Sequence, residues 1–394
     1  MTPIPRLRSY DGPALLSYGF RPFFLLAGLY AGATILVWLP IFYGEFATAA
    51  AFAPLDWHTH EMLFGYVAAV VTGFLLTAIP NWTGRLPIQG VPLLVLVSVW
   101  LLGRVAVTVS AWIGWAPAAI IDSAFLVLVA AAAAREIAVG RNWRNLKIVA
   151  IIVVLAVANI GFHLEAHFSG VADYTMRAGL GAIVLLITLV GGRVVPSFTH
   201  NWLARADAGR LPAPFGRLDV ATMIVSAAAL ALWIAMPLAL ATAAALLLAG
   251  MIQTVRLTRW AGDRTYREPL VFILHVAYAF VPIGFLLTGA GALGLVAGSA
   301  GIHAWAAGAI GTMTLAIMTR ASLGHTGRPL TATVWTQGIY LAVVIAALAR
   351  IAAALLPSWN EPLLQVAAFA WAAAFLGFGF YFMPILCTAR RVLI

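Results

Sequence analysis

The sequence predicts an all-α membrane protein, a single transmembrane domain over residues 1–394 that contains about twelve transmembrane helices. Hydrophobic residues make up 63% of the chain and charged residues only 9%, whereas soluble domains have roughly 45–50% and about 25%. The surplus apolar surface must therefore face lipid. No polar linker interrupts the succession of apolar runs, which favours one domain.

Each helix is predicted from an apolar run long enough to span a bilayer, about 20 residues. Twelve runs qualify: residues 20–43, 58–80, 90–112, 116–138, 146–168, 174–197, 218–236, 238–259, 268–290, 295–320, 332–355 and 361–386. The divisions at Pro117 and Pro237 depend on very short loops. Proline does not always end a membrane helix, so eleven or thirteen helices are also possible.

The cations predict the orientation of these helices. With the N-terminus in the cytoplasm, 20 of the 23 Lys and Arg residues fall in cytoplasmic segments, including Arg6 and Arg8, as the positive-inside rule requires. Both termini are then cytoplasmic. The net charge of +10 is then explained by the cations that set the orientation of the helices, and no nucleic-acid partner is expected. Because no apolar stretch precedes Phe20, we expect no cleaved signal peptide.

An internal repeat relates helices two and ten. His60 lies 23 residues before the run Thr83–Arg85, and His303 lies 23 residues before the run Thr326–Arg328, both of sequence TGR. Helix six, midway between them, ends in the comparable run PSFTHNW at residues 196–202. This spacing suggests three repeats of four helices.

Five of the eight histidines fall near the outer membrane face and are the candidate metal ligands: His58, His60, His163, His167 and His303. The single cysteine, Cys387, excludes a thiolate cluster, and imidazoles without thiolates suit haem iron or copper. His60 and His303 are the preferred pair for binding haem from opposite faces, and Glu61 is placed to orient an imidazole N–H. Interfacial histidines that bind nothing are the alternative.

Two arginines on the outer side are candidates for contact with a cofactor, Arg104 and Arg177. A guanidinium at the depth of Arg104 needs a partner. Asp122 on helix four would give a structural ion pair, and a haem propionate would give a functional one. Arg177 is a second candidate for such a propionate.

Three histidines fall near the inner face: His200, His275 and His325. His275 lies seven residues into helix nine, whereas His200 and His325 are predicted in the loops after helices six and ten. They either form a second metal site or are solvated loop histidines.

The chain resembles the NnrS family in long runs that are spread over its whole length. These runs are GFRPFF at 19–24, WHTHEMLFG at 57–65, GFLLTA at 73–78, PNWTG at 80–84, GRV at 192–194, PSFT at 196–199, MTR at 318–320 and LGHTGR at 323–328. The resemblance implies a bacterial inner-membrane protein of twelve helices that contains haem and copper. It also implies a role in nitric oxide metabolism or protection from nitrosative stress, often alongside denitrification, with nitric oxide or an iron-nitrosyl species as ligand. It implies neither a defined reaction nor assigned ligands.

The chain is also similar, more weakly, to haem–copper oxidases and nitric oxide reductases. In those enzymes histidines on helices two and ten bind a haem near the outer face, as His60 and His303 would here. Their copper ligands lie on helix seven, which has no histidine in this chain. The resemblance therefore does not extend to their binuclear centre, and copper is expected at His163 and His167.

Two other functions are compatible with the sequence. A secondary transporter would use twelve helices, internal repeats and the buried Arg104 and His275 as substrate contacts. A sensor or assembly partner would bind haem without turnover.

Overall fold

A computed structural model of the chain describes residues 10–206 and 209–391. Within these ranges it contains twelve helices that are long and apolar enough to cross a membrane, and no strand. The helices are α1 Phe20–Phe42, α2 Pro54–Thr83, α3 Val91–Thr108, α4 Trp115–Val139, α5 Trp143–Ser169, α6 Asp173–Arg205, α7 Arg217–Ala235, α8 Leu240–Thr258, α9 Pro269–Ala292, α10 Gly298–His325, α11 Val334–Leu355 and α12 Pro357–Cys387. The predicted fold class is confirmed. Arg6 and Arg8, which contributed to the predicted topology, lie outside the described residues.

Both uncertain divisions separate two helices. Pro117 lies in the first turn of α4, where a proline removes no intrahelical hydrogen bond. Gly114, immediately before α4, has a φ of +91°, a conformation that favours glycine. Between α7 and α8 the hydroxyl of Thr242 donates to the carbonyl of Met236 at 2.7 Å and stabilises the short turn.

Two histidines predicted in loops lie on helices instead. Helix α6 continues past Pro196 and includes His200, and α10 ends at His325. The loop prediction was wrong because the hydropathy of a segment shows where lipid contact ends, and not where the helix ends. An α-helix satisfies its own backbone hydrogen bonds whether or not it contacts lipid, so a helix can continue past the end of its apolar run.

The chain divides into two compact units, which are described separately. Unit one contains Met1–Ala182, Ala321–Pro329 and Leu376–Ile394, and unit two contains Ile183–Arg320 and Leu330–Phe375. In each unit, large apolar side chains are exposed along the helices, as lipid contact requires. Examples are Val105, Ile120 and Val157 in unit one and Ile224, Leu240 and Leu341 in unit two.

Helices α2 and α10 share an unusual backbone. Each changes from α-helical to π-helical geometry immediately after its histidine, at Glu61–Val67 after His60 and at Ala304–Gly311 after His303. The glycines of the two TGR runs, Gly84 and Gly327, both have a left-handed φ, of +71° and +69°. These features support the predicted repeat between α2 and α10. Since π-helical turns are rare and frequently occur at functional sites, they also direct attention to the two histidines.

Candidate metal centre

Unit one contains a buried polar centre, formed where five helices supply side chains at one depth. Its members are Tyr30 from α1, His60 and Glu61 from α2, Arg104 from α3, Asp122 from α4, and Asn159 and His163 from α5. Apart from Tyr30, each is at most 5% exposed. Polar groups so deeply buried need partners, because an unpaired one costs free energy.

The π-helical segment of α2 brings the charged groups of the centre together. Glu61 is its first residue, and Gly65 faces Arg104 one turn later. A Cβ atom at Gly65 would lie 2.7 Å from Nη1 of Arg104 and 3.0 Å from Oε2 of Glu61. The carbonyl of Gly65 accepts a hydrogen bond from the indole of Trp100 at 3.0 Å. Glycine at this position therefore allows the guanidinium to reach α2.

Arg104 joins the two carboxylates of the centre. Its Nη1 lies 2.8 and 2.7 Å from the two oxygens of Glu61, and its Nη2 donates to Oδ1 of Asp122. The predicted ion pair with Asp122 is thus present, and Glu61 is a second partner that the sequence did not suggest. Tyr30 donates its hydroxyl to Glu61 as well. Two carboxylates against one guanidinium leave one formal negative charge when the histidines are neutral.

His60 has an oxygen atom opposite each of its ring nitrogens. Its Nδ1 lies 3.1 Å from Oε1 of Glu61, and its Nε2 lies 3.0 Å from Oδ1 of Asn159 and 3.2 Å from Oδ2 of Asp122. The amide of Asn159 is oriented by its own N–H, which donates to Asp122 at 2.9 Å. A neutral imidazole has only one N–H. One ring lone pair therefore faces oxygen atoms unless a proton or a metal cation lies between them.

His163 completes a group of three ligand atoms. Its Nε2 lies 3.0 Å from Oδ2 of Asp122, and the nearest ligand atoms of His60, Asp122 and His163 all lie within 4.8 Å of one another. Ligands bound tetrahedrally at about 2.0–2.1 Å are about 3.3 Å apart. The separations from Oδ2 of Asp122 to Nε2 of His163 and of His60, 3.0 and 3.2 Å, are close to that value, and with the third separation within 4.8 Å a small shift would admit one ion.

Aromatic side chains exclude water from these three residues. The ring of Phe52, in the loop before α2, lies 5.0 Å from the rings of both His60 and His163. The rings of Phe64 and Phe162 each lie 5.3 Å from the ring of His60. Both are essentially fully buried, whereas Phe52 is only partly buried. Of these three aromatic side chains, Phe52 is therefore the one that lies closest to the protein surface.

The other predicted outer-face residues have different surroundings. His58 stacks on Trp38 with ring centroids 4.5 Å apart, and the exposed His167 stacks on Trp115 at 4.1 Å. Arg177 lies over the ring of Tyr174 at 4.8 Å. In unit two, Nδ1 of His303 is 2.7 Å from the carbonyl of Ser299, one turn earlier. The structure thus brings together His60 and His163 of the predicted ligands.

The three inner-face histidines are also dispersed. In unit two, His275 is buried and its Nε2 lies 2.8 Å from the hydroxyl of Thr199, while His200 is exposed on α6. In unit one, His325 packs between Tyr18 and Phe20.

Sequence reasoning missed Asp122 as a candidate metal ligand and Asn159 as a member of the centre. The sequence indicated Asp122 only as an ion-pair partner for Arg104. Asn159 lies four residues before His163, and such spacing places both on one face of α5. A polar residue one turn from a candidate ligand in an apolar helix was the signal that would have identified it.

A comparison with protein families matches nearly the whole chain. The family model described as NnrS protein matches residues 14–390. No curated protein matches the chain.

Proposed function

Because the chain belongs to the NnrS family, we propose that it acts in nitric oxide metabolism or in protection from nitrosative stress, as a copper- and haem-binding membrane protein. The family is linked to nitric oxide. We place copper at His60, Asp122 and His163. The observation that carries this assignment is His60, whose two ring nitrogens both face oxygen atoms.

The donor set suits a transition metal. Two imidazoles and one carboxylate are ligands for copper, zinc or iron, and the family resemblance favours copper among them. A cation would also balance the formal negative charge that Arg104 leaves on Glu61 and Asp122. Uncompensated charge at such depth in a membrane protein is costly. Both the geometry and the charge therefore support a bound cation.

The surrounding residues would prepare the centre for that ion. Glu61 accepts the Nδ1–H of His60, which leaves Nε2 to bind metal, as in known carboxylate–histidine–metal arrangements. Arg104 holds both carboxylates in place, and Asn159 holds Oδ2 of Asp122. When bound, copper or iron with an open coordination position supplies a site for a small ligand such as nitric oxide.

Haem fits this centre less well than a single ion. Phe52, Phe64 and Phe162 pack around the ring of His60, and they would have to move to admit a porphyrin. We therefore assign copper to His60. The pairing of His60 with His303 around haem, which was predicted from the sequence, is untested and is not part of this proposal, because both ring nitrogens of His60 are used in the copper arrangement. No step of the proposed function is derived through haem.

The twelve apolar helices and the family match indicate a multi-pass membrane protein. We propose that it lies in the bacterial inner membrane with both termini in the cytoplasm, since the cation distribution supports that orientation. The copper centre then lies near the periplasmic face. Nitric oxide is small and uncharged, so it can reach the centre through lipid.

The transporter alternative receives less support. It required Arg104 as a substrate contact, but both terminal nitrogens of Arg104 are paired with carboxylates. The sensor or assembly alternative binds haem without turnover, so it differs from the proposed function in that nitric oxide is not consumed.

The test is metal analysis and optical spectroscopy of the protein purified from cells supplied with copper and haem. His163→Ala and Asp122→Asn should lose copper, whereas His167→Ala should retain it. His167 is the matched control because it lies one turn from His163 but stacks on Trp115. Equal copper content in all three variants would overturn the assigned ligands.

Nitric oxide is then added to the loaded protein. Consumption of nitric oxide supports turnover, and a spectral shift without consumption supports a sensor. A colourless, metal-free protein with intact fold would contradict the proposed function and make the transporter the better candidate.

A further inference from the structure

Three of the sequence runs singled out above have no part in the metal centre, yet they meet at one place in unit one. GFRPFF contributes Phe20 and Arg21, PNWTG contributes Asn81, and LGHTGR contributes His325. These residues line a pocket of about 360 Å³. Asn81 lies at the opposite end of α2 from His60, a distance of about 30 Å along the helix. The pocket is therefore separate from the metal centre.

One wall of the pocket is aromatic. The ring of His325 lies 5.8 Å from the ring of Tyr18 at an interplanar angle of 24°, and 5.5 Å from the ring of Phe20 at 39°. Tyr18 and Phe20 are themselves 5.7 Å apart. All three rings line the pocket. Such a wall favours a ligand with a flat unsaturated ring, since aromatic faces stack well on one another.

The pocket also carries positive charge. Arg21 is 3% exposed and is held at the wall, because its Nη1 donates to the carbonyls of Leu386 and Thr388 at 2.7 Å each. Arg390 lines the pocket from the segment that follows α12 and is exposed. Among the described residues that line the pocket, none is acidic. The local charge therefore favours an anion.

Neutral hydrogen-bonding groups complete the lining. Asn81 and Gln89 present side-chain amides, which can donate to or accept from a polar substituent. The volume lies toward the lower end of the range for small-molecule sites, about 300–1,000 Å³. The pocket is therefore suited to a compact organic molecule, and larger than an inorganic ion requires.

We propose that this pocket binds an organic anion with a flat unsaturated ring. The ring would pack against His325 and Tyr18, and the acidic group would pair with Arg390, with the fixed charge of Arg21 close by. The proposal does not depend on the function of the metal centre. It gives a role to three runs of residues that the metal centre leaves unexplained.

The experiment uses two fluorescent probes with the full chain in phosphatidylcholine nanodiscs. The probe 8-anilinonaphthalene-1-sulfonate carries an anionic group, and N-phenyl-1-naphthylamine has the same rings without that group. We expect saturable binding of the sulfonate probe at one site per chain. Arg390→Gln should weaken this binding about tenfold, as loss of one charge-assisted hydrogen bond would, and should leave the neutral probe unaffected.

Arg391→Gln is the matched control. It removes the same charge one residue later, from an exposed side chain outside the lining, while its backbone N–H bonds to Thr326. We expect its affinity for the sulfonate probe to stay near that of the unmodified chain. Tyr18→Leu should weaken binding of both probes, because it removes part of the stacking wall.

Three results would overturn the proposal. The first is non-saturable binding, and the second is an equal effect of Arg390→Gln and Arg391→Gln, which would indicate general surface charge. The third is equal affinity for the two probes in every variant, which would indicate an apolar site. Because none of the variants touches the metal centre, copper content measured on the same samples separates failure here from failure of the proposed function.

Discussion

The Nε2 atom of His60 and the Oδ2 atom of Asp122 lie 3.2 Å apart, and both side chains are completely buried. On the opposite side of the imidazole ring, Nδ1 lies 3.1 Å from a second carboxylate, that of Glu61. An imidazole between two carboxylates in a dry environment requires an added positive charge. Arg104 provides part of that charge to both carboxylates, and the proposed metal provides the rest.

Removal of Arg104 should destabilise unit one strongly. Arg104→Met leaves the carboxylates of Glu61 and Asp122 buried without a permanent cation. Removing one partner of a buried ion pair lowers the free energy of unfolding by about 3–5 kcal/mol. Thermal unfolding in detergent measures the loss. Arg135→Met is the control, because that side chain is 76% exposed and its removal should change stability little. Equal melting temperatures for the two variants would contradict the role given to Arg104.

Gly65 should tolerate no side chain. In Gly65→Ala the added Cβ would lie 2.7 Å from Nη1 of Arg104, so the guanidinium must shift away from Glu61. We expect a loss of about 1–3 kcal/mol in stability and a lower copper content. Gly338→Ala, on α11, has nothing within 4 Å of its Cβ and should stabilise the helix by up to about 1 kcal/mol. An unchanged copper content in Gly65→Ala would show that Arg104 need not approach α2 closely.

Phe52 should control access to the centre. It covers the rings of both His60 and His163 and is the partly buried member of the aromatic wall. In a His163→Cys, Cys387→Ser background, a methanethiosulfonate reagent can modify the introduced thiol without competition from the native exposed cysteine. Phe52→Ala should raise the modification rate several-fold. Phe46→Ala, an exposed phenylalanine of the same loop, should leave the rate unchanged, and a matching increase there would show that Phe52 has no special position.

Tyr278 should matter for unit two and not for copper. Its hydroxyl accepts from Arg256 at 3.0 Å and donates to Gln253 at 2.9 Å, within a buried group that also pairs Arg256 with Asp219 at 2.8 Å. Tyr278→Phe leaves the side chains of Arg256 and Gln253 each short of one hydrogen-bond partner. This should lower the free energy of unfolding by about 1–3 kcal/mol. Tyr266→Phe is the control, since Tyr266 is 62% exposed. Copper content should be the same in both variants, and a loss in Tyr278→Phe alone would contradict this separation.

The sequence by itself determined the all-helical membrane fold and nearly all of its helices, because lipid contact imposes a length and hydropathy requirement that each segment meets on its own, while the divisions at Pro117 and Pro237 were settled by the structure. It also suggested the repeat between α2 and α10, since the identities of His60, His303 and the two TGR runs are read directly along the chain, and the shared π-helical geometry supports it. The ion pair of Arg104 with Asp122 followed from a similar argument: a cation at membrane depth requires an anion at the same depth on a neighbouring helix.

Only the tertiary structure decided which polar residues meet. His163 and His167 are one helical turn apart, but His163 points to Asp122 while His167 lies on the exposed last turn of α5 and stacks on Trp115. The π-helical segment of α2 changes the angular spacing of its side chains, so no regular helical periodicity could place Glu61 against Arg104. The convergence of Phe20, Asn81 and His325 on one pocket likewise depends on how α1, α2 and α10 pack. Contacts between distant segments are set by packing, which local residue patterns do not specify.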